Sequence, residues 1–398
     1  MSVVDINIYN GYNFMKRTTL LFIGLIGVLL VSACQSSTTH TVMGEGKPLT
    51  YVGSENMVAD TTIFESVDFF ICEDVPEAMF SQIVRAEEYD GAYYLLDPRL
   101  KQVIMLDNSG KHLKTLRRIG GGQGEWADIH DIAIDRASQR LLILASPPSI
   151  LSFSLDGEYI EHQKLEKYYN AIGVDDKCIY LSRSTYSNNE LSTTSVSIID
   201  KQSGQMTETL PPPPELAPYC YAQGRFISGT GVDLFYMRRF DDQIYRLTPT
   251  GVDVAYSIDW QDAHFPESEK DHQWECSDFN ELCMDHGYVY TIVDVAESAH
   301  SMAFRTNQMG VYIVDKQKGT ICKYGAIESS LSGLPLPGYL PVGGSSGEVI
   351  FVYPANLLLM SMQFSKKQVD SPAGQEFRQR LGDITEESNP VIFRCKLK

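Results

Sequence analysis

Two consecutive copies of one strand pattern decide the fold. The first copy reads Gly91-Ala-Tyr-Tyr-Leu-Leu-Asp97, then Gln102-Val-Ile-Met-Leu-Asp107, then a turn that ends at Gly110. Short apolar runs that end in an acid and are separated by turn residues are typical of β-strands. The second copy contains Arg140-Leu-Leu-Ile-Leu144 and a turn that ends at Gly157. The chain therefore repeats a module of short strands.

Turn glycines extend this repeat along the chain. Gly110, Gly157, Gly204 and Gly251 follow one another at intervals of 47 residues, and Gly319 comes 68 residues after the fourth. A strand lies on each side of these turns. Self-similarity at a period of roughly 40–50 residues, with about four strands per unit, is the pattern of a β-propeller blade. We therefore expect an all-β chain that folds as a six-bladed β-propeller.

Units 3 to 5 carry the same signals less regularly. Apolar runs of strand length alternate with turns, and a polar insertion, 261–277, opens unit 5. The predicted strands are 171–174, 178–182, 194–200 and 205–210 in unit 3; 225–228, 232–237, 243–247 and 252–258 in unit 4; and 282–285, 288–293, 310–315 and 320–324 in unit 5.

The last unit lacks one strand of its own. Residues 340–342 and 348–353 have strand patterns, 355–387 has helical composition, and 389–397 is a final strand. An isolated strand at 61–73 precedes unit 1 and has no partner there. We expect it to complete unit 6, so that the two ends of the chain share one blade and leave no bare sheet edge.

The N-terminal region has the features of an export signal. Met15-Lys16-Arg17 supplies positive charge, 18–31 is apolar, and Val31-Ser-Ala-Cys34 ends the run with small residues and a cysteine. The apolar run is short for a membrane-spanning helix. The segment resembles the lipobox of bacterial lipoproteins, in which the cysteine carries the lipid. That resemblance implies lipid attachment at Cys34 and a membrane contact through the anchor.

These features give a domain plan. We predict a signal peptide at 1–33, of which 1–14 precedes a better start, a flexible lipid-anchored tether at 34–60, and the propeller at 61–398. The expected location is the cell envelope, on the outer membrane. The absence of an acidic run after Cys34 favours the periplasmic side.

Charge and cysteine usage exclude some functions. The formal net charge of −18 argues against a nucleic-acid partner. Besides Cys34 there are seven cysteines, which is an odd number, and none has zinc-ligand spacing. Cys276 falls in the predicted insertion of unit 5 and Cys283 follows it closely, so the two could pair. Cys72 and Cys395 fall on strands that we expect to be neighbours.

The chain is similar to bacterial six-bladed β-propeller lipoproteins, a group related to NHL-repeat propellers. The first blade, the connector Ile119-Gly-Gly-Gly-Gln-Gly-Glu-Trp126 and the ending 388–398 carry the resemblance. In that family the connector usually reads Gly-Pro-Gly-Glu and an aromatic residue, and here Gln123 replaces the proline. The resemblance implies a fold and no particular reaction.

No motif identifies a catalytic site. The glycines at 120–124 lack the G-K-[ST] ending of a phosphate loop and precede a strand. No His-Glu-x-x-His motif occurs, and we assign no catalytic residues, metal ligands or cofactor. Residues expected near inner strands and connectors form the candidate ligand face: Arg85, Glu125, Trp126, His130, Arg225 and Asp285.

Two function classes follow. The first is a non-catalytic binding propeller in the envelope that presents one face to a protein or glycan partner. The second is a metal-dependent lyase or hydrolase that acts in the propeller channel. Asp128, His130, Asp285 and His286 would have to surround one metal-sized space for the second class. Packing or ordinary hydrogen bonding is the alternative role for each of these side chains, and for Trp126.

Overall fold

Short antiparallel strands dominate the computed structural model, which describes residues 44–183, 186–187, 190–191, 195–217, 220–229, 233–336, 341–343, 347–365 and 370–398. The predicted signal peptide and Cys34 lie outside these residues. The described chain is all-β in class, as the sequence predicts. Its strands group into six antiparallel units of four.

Units 1 to 3 follow the predicted order closely. The turn glycines Gly110, Gly157 and Gly204 all have positive φ, a conformation that glycine adopts without strain. The strands are β3 (Arg85–Tyr89), β4 (Ala92–Asp97), β5 (Gln102–Asp107) and β6 (His112–Leu116) in unit 1; β7 (Asp128–Asp135), β8 (Arg140–Ser146), β9 (Ser149–Ser154) and β10 (Tyr159–Lys164) in unit 2; and β11 (Ala171–Val174), β12 (Cys178–Ser182), β15 (Val196–Asp200) and β16 (Met206–Thr209) in unit 3, with a small hairpin, β13 (Tyr186–Ser187) and β14 (Glu190–Leu191), between β12 and β15.

Units 4 and 5 are less regular. The first two strands of unit 4 shrink to two residues each. The strands are β17 (Ile227–Ser228), β18 (Phe235–Tyr236), β19 (Gln243–Thr248) and β20 (Gly251–Asp259) in unit 4, and β21 (Ile292–Glu297), β22 (Ser301–Thr306), β23 (Val311–Asp315) and β24 (Thr320–Glu328) in unit 5, where β25 (Pro335–Leu336) also pairs with β24.

Unit 6 combines strands from both ends of the chain. Strands β26 (Pro341–Gly343), β27 (Glu348–Tyr353) and β28 (Val391–Leu397) are joined by β2 (Phe64–Ile71). Strand β2 runs antiparallel to β28, with Phe64 opposite Leu397 and Ile71 opposite Val391. The prediction that the strand before unit 1 pairs with the final strand is therefore confirmed.

Apolar cores lie between consecutive units. One cluster joins unit 1 to unit 2 through Met105 and Phe153, and others join units 2 and 3, 3 and 4, 4 and 5, and 5 and 6. A further cluster joins unit 6 to unit 1 through Ile392 and Leu106. Strand β26 also pairs with β3, at Gly343 and Ala86. Each sheet therefore buries both faces against its neighbours.

The predicted tether at 34–60 is wrong for its C-terminal part. Residues Lys47–Ala59 form a 13-residue strand, β1. It runs parallel to β20 at one end, with Lys47 opposite Tyr256, and parallel to β24 over the rest, with Val58 opposite Ile327. Strands β20 and β24 are the last strands of units 4 and 5, so β1 pairs with edges that would otherwise be exposed. Its alternation of polar and apolar residues is weak, which concealed it in the sequence.

Four α-helices interrupt the strands in the described part of the chain: α1 (Asp60–Ile63), α2 (Cys276–His286), α3 (Ala355–Phe364) and α4 (Pro372–Leu381). The helical composition predicted for 355–387 is confirmed by α3 and α4. The strand predicted at 282–285 is wrong, because these residues belong to α2, which ends at Gly287 with φ +68. Among the described residues, no helix is long and apolar enough to cross a bilayer.

Cys276 and Cys283, which the sequence left open as a possible pair, are not bonded to each other. Cys276, at the start of α2, forms a disulfide with Cys220. Cys283 is buried as a free thiol in an aromatic cluster with Phe240, Phe265 and Phe279. The helix α2 places Cys283 on its packed face, so the partner of Cys276 comes from a segment 56 residues earlier. Cys72 and Cys395 are buried free cysteines.

Candidate functional site

A cavity of about 610 Å³ opens where the first strands of units 1 to 5 begin. Arginine is the commonest residue type in its lining, although the chain as a whole is acidic. Two aspartates, three amides, one histidine, one serine, one tyrosine and a few apolar residues complete it. The lining residues are Gln82, Ile83, Val84, His130, Asp131, Asn170, Ala171, Ser182, Arg183, Pro213, Gln223, Gly224, Arg225, Phe226, Tyr236, Arg238, Arg239, Asp294 and Arg305.

Arg85 is the buried centre of one ion network beside this cavity. Its guanidinium, 2% exposed, donates to Glu87 at 2.7 Å and to Asp131 at 3.4 Å. It also donates to the Ile227 carbonyl at 3.4 Å. Asp131 in turn accepts the Ile172 backbone N–H at 2.9 Å. One arginine thus links the first strands of units 1, 2 and 4, and Asp131 extends the link to unit 3.

Asp294 is the centre of a second ion network. Its Oδ1 accepts Arg225 Nε at 2.9 Å, and its Oδ2 accepts two N–H groups of Arg305, with Nε at 2.9 Å. Asp294 has φ +57, a left-handed conformation that aspartate tolerates better than most residues. It therefore couples the first strands of units 4 and 5. Together Arg85, Glu87, Asp131, Arg225, Asp294 and Arg305 are called the inner ion network.

Two other arginines of the cavity have no such partner. Arg183 follows β12 and is 9% exposed, and Arg239 follows β18. Neither makes an ion pair with any described residue, and the Nε–H of each is buried without a hydrogen-bond acceptor in that same part of the chain. We call Arg183 and Arg239 the wall arginines. Their neighbour Arg238 differs, because it pairs with Asp241 and donates to the Pro211 carbonyl at 2.7 Å.

The wall arginines lie against aromatic rings. The guanidinium of Arg239 is 4.5 Å from the Tyr221 ring centroid and 4.8 Å from that of Phe226. Arg183 lies 6.0 Å from the Tyr169 ring. Cation–π contacts of this kind orient a guanidinium without neutralising its charge. Both arginines are therefore held in place without an ion pair to any residue in the described part of the chain.

Burial changes the titration of groups around the cavity. It lowers the pKa of Arg239, and it lowers the pKa of Arg225 with help from the nearby charge of Arg85. Both remain positive near neutral pH, because an arginine begins far above that range. Burial also lowers the pKa of His130, against the opposing effect of Asp128. His130 is therefore mainly neutral at pH 7, with Nε2 2.6 Å from the Ser146 hydroxyl.

Only some residues of the predicted candidate ligand face lie at the cavity. Arg225 and His130 line the cavity, and Arg85 contacts its lining through Asp131. Trp126 does not line the cavity: it is fully buried, donates to the Lys101 carbonyl at 3.0 Å and packs on Phe153. The remaining two residues, Glu125 and Asp285, are exposed and also lie outside the lining.

In the glycine-rich connector, a side-chain carboxylate is hydrogen-bonded to the backbone of the same loop. Glu125 accepts the Gly122 backbone N–H at 2.7 Å. A carboxylate from the same loop thus occupies the backbone donor that a bound phosphate would need. This agrees with the interpretation of 120–124 as a structural connector.

The residues proposed for a channel metal are not brought together. His130 lines the cavity, whereas Asp285 and His286 lie on the exposed side of α2, where the His286 ring stacks on Tyr288 at 5.1 Å. Across the described residues, no group of three or more His, Cys, Asp or Glu side chains has metal-binding geometry. The arrangement offers guanidinium donors to a ligand instead.

Sequence reasoning missed four lining arginines: Arg183, Arg238, Arg239 and Arg305. They share a position, since each lies on or just after the second strand of unit 3, 4 or 5. Aligning the second strands of the repeats could have revealed this recurrence. In unit 5 the recurrence was hidden because the predicted strands did not include β22.

Comparisons with known proteins assign the chain to one family. The chain belongs to the family described as Domain of unknown function (DUF4934), which matches residues 52–396. A comparison with curated proteins finds no match. The family supplies no activity, so any function has to come from the site itself.

Solved structures resemble the chain at low sequence identity. A Bacteroides fragilis protein described as exported matches with a TM-score of 0.66 and 14% identity over 88% of this chain and all of its own. A member of the duf4221 family from Bacteroides vulgatus matches with a TM-score of 0.46 and 12% identity over 84% of this chain and 98% of that one. BamB from Moraxella catarrhalis matches with a TM-score of 0.39 and 10% identity over 70% of this chain and 75% of that one.

Proposed function

We propose that the six units form one six-bladed β-propeller whose ring is closed by β2 and β28 in a shared blade. The supporting observations are the apolar clusters between every pair of consecutive units, including units 6 and 1, and the pairing of β26 with β3. A ring of this kind leaves its inner strand ends around a central opening, which is where propellers commonly bind ligands.

We also propose that the protein is an exported lipoprotein, anchored to the outer membrane through Cys34. The charged and apolar segment before Cys34 supports this, as does the likeness to a protein described as exported. The proposed membrane contact is made by the lipid, and the propeller is free to meet its ligand in the envelope.

The function that we infer is binding, without catalysis, of a ligand in the cavity of units 1 to 5. The observation that carries it is the convergence of charged, amide and aromatic groups from five units on one cavity of about 610 Å³. Five of those groups are arginines, which donate hydrogen bonds but do not exchange protons near neutral pH. A cavity of this size suits a small molecule or the end of a glycan chain.

Blocking the cavity tests this function. Gln223 lines the cavity yet is exposed, so Gln223→Trp should fill the space with little effect on packing. Met309, 73% exposed and outside the lining, provides a matched control as Met309→Trp. We expect the unmodified protein and the Met309 variant to bind the same ligands on a glycan and metabolite array. The Gln223 variant should lose them, and retained binding would place the ligand elsewhere.

A further inference from the structure

Arg183 is buried and Arg239 is partly buried, and buried charges in proteins are normally paired. Removing a guanidinium from water without giving its N–H groups acceptors is unfavourable. The same cavity shows that the fold can supply acids, since Arg85, Arg225, Arg238 and Arg305 all have them. Among the described residues, Arg183 and Arg239 have no such acid.

The charge of the site differs in sign from that of the molecule. Among the described residues, the six arginines of the lining and the inner ion network form ion pairs with four carboxylates: Glu87, Asp131, Asp241 and Asp294. The chain as a whole has a formal charge of −18. A positive cavity in an acidic protein concentrates anions at one place on its surface.

The wall arginines are also oriented before any ligand arrives. Tyr221 and Phe226 contact the Arg239 guanidinium, and Tyr169 lies near that of Arg183. Guanidinium groups bind carboxylate, phosphate and sulfate oxygens through two parallel hydrogen bonds. Little side-chain entropy remains to be lost on binding, because the aromatic contacts already restrict both side chains.

We propose that the ligand of this cavity is an anion, and that its carboxylate, phosphate or sulfate oxygens accept hydrogen bonds from Arg183 and Arg239. This inference rests on the proposed binding function and names the chemical class of ligand for the same cavity. The inner ion network holds the cavity in shape, while the amides of Gln82 and Gln223 are placed to meet the polar remainder of the ligand.

Calorimetric titration of the purified protein tests the inference with four probes. They are inorganic phosphate, inorganic sulfate, trigalacturonate and neutral galactotriose. We expect one or more of the anionic probes to bind and galactotriose not to bind. Comparing the affinities for the three anions distinguishes a phosphate or sulfate ligand from a carboxylated sugar. Failure of all three anions to bind at millimolar concentrations would overturn the inference.

Substitutions show whether the wall arginines make the contact. Arg183→Met and Arg239→Met should each weaken anion binding about 10- to 100-fold, the usual effect of losing a charged hydrogen bond. Their thermal unfolding midpoints should stay the same or rise, because each change removes an uncompensated buried charge. Arg378 is exposed on α4 and has no ion pair among the described residues, so Arg378→Met is the matched control.

The two proposals fail in different ways. Suppose that a neutral ligand fails to bind Gln223→Trp but binds normally to Arg183→Met and Arg239→Met. This result would support the binding function and refute the proposal that the ligand is an anion. Anion binding that survives Gln223→Trp would show that the cavity is not the site. Unchanged anion affinity in both methionine variants refutes the assignment of Arg183 and Arg239.

Discussion

The inner ion network and the wall arginines contain the same residue type under comparable burial, yet their surroundings differ. Arg85 is 2% exposed and has two carboxylates and a carbonyl as partners. Arg183 is 9% exposed and has a tyrosine ring. Paired arginines hold neighbouring units together, whereas unpaired ones keep their donors available. The comparison teaches that partners, more than burial, separate a structural arginine from a candidate ligand group.

The most sensitive test of this difference replaces one arginine of each kind and compares the stability of the two variants. Arg85→Met should lower the free energy of unfolding by about 3–5 kcal/mol, because Glu87 and Asp131 stay buried without a cation. Arg239→Met should change it by less than about 1 kcal/mol. Urea-induced unfolding measures both. Equal losses in the two variants would mean that Arg239 is structural as well.

Removing a carboxylate tests the network from its other side. Asp294→Asn retains the shape and tolerates φ +57, but leaves Arg225 and Arg305 without their shared anion. We expect a loss of roughly 3 kcal/mol in the free energy of unfolding. Asp90, also at positive φ but exposed in a turn, gives the control Asp90→Asn, which should be nearly neutral. A comparable loss in the control would assign the effect to the backbone.

The disulfide links stability to the position of Arg239. Cys220–Cys276 closes a loop of 56 residues next to the aromatic cluster that contains Phe240 and Tyr221. Replacing both cysteines by serine should cost about 2–4 kcal/mol and weaken anion binding, because Tyr221 contacts the Arg239 guanidinium. The control is Cys322→Ser, which changes a free, half-buried thiol. Calorimetry on both variants checks this, and normal affinity without the disulfide would contradict the link.

The smallest expected effect concerns pH. The folded-state pKa of His130 lies below its unfolded value, so the unfolded chain binds the extra proton first. Stability should therefore fall slightly as the pH drops below about 6.5 and through the folded pKa. In the same window the new charge on His130 should strengthen anion binding a few-fold. His130→Gln should flatten both profiles, and unchanged profiles would show that another group titrates.

Much of the fold was predictable because it depends on local chemistry. The strands of unit 3 at Ala171–Val174 and Cys178–Ser182 match the predicted bounds. Short apolar runs between turns form strands when neighbouring strands are available for pairing. Gly110 was predictable as a turn residue for a similar reason. Its φ is +88, and a Cβ there would lie 2.1 Å from the Ile71 carbonyl oxygen.

The sequence was less informative where neighbours decide the conformation. The run at 282–285 has strand-like apolar residues, yet it is helical because Phe279 and Cys283 share one face that packs into the aromatic cluster. Strand β1 was missed because its pairing with β20 and β24 depends on edges formed some 200 residues later. Local propensity contains no information about the aromatic cluster or about the edges of β20 and β24.

The pairing of β2 with β28 was predictable because each strand would otherwise leave a sheet edge bare. The sequence by itself also determined the repeat and the turns, because periodicity and turn chemistry act over a few residues. It also placed Arg85, His130 and Arg225 near the cavity. Only the tertiary structure decided which arginines are paired, because Arg85 meets Asp131 from another unit and Arg239 meets no acid among the described residues. The charge left for a ligand depends on distances between units, which no single stretch of sequence specifies.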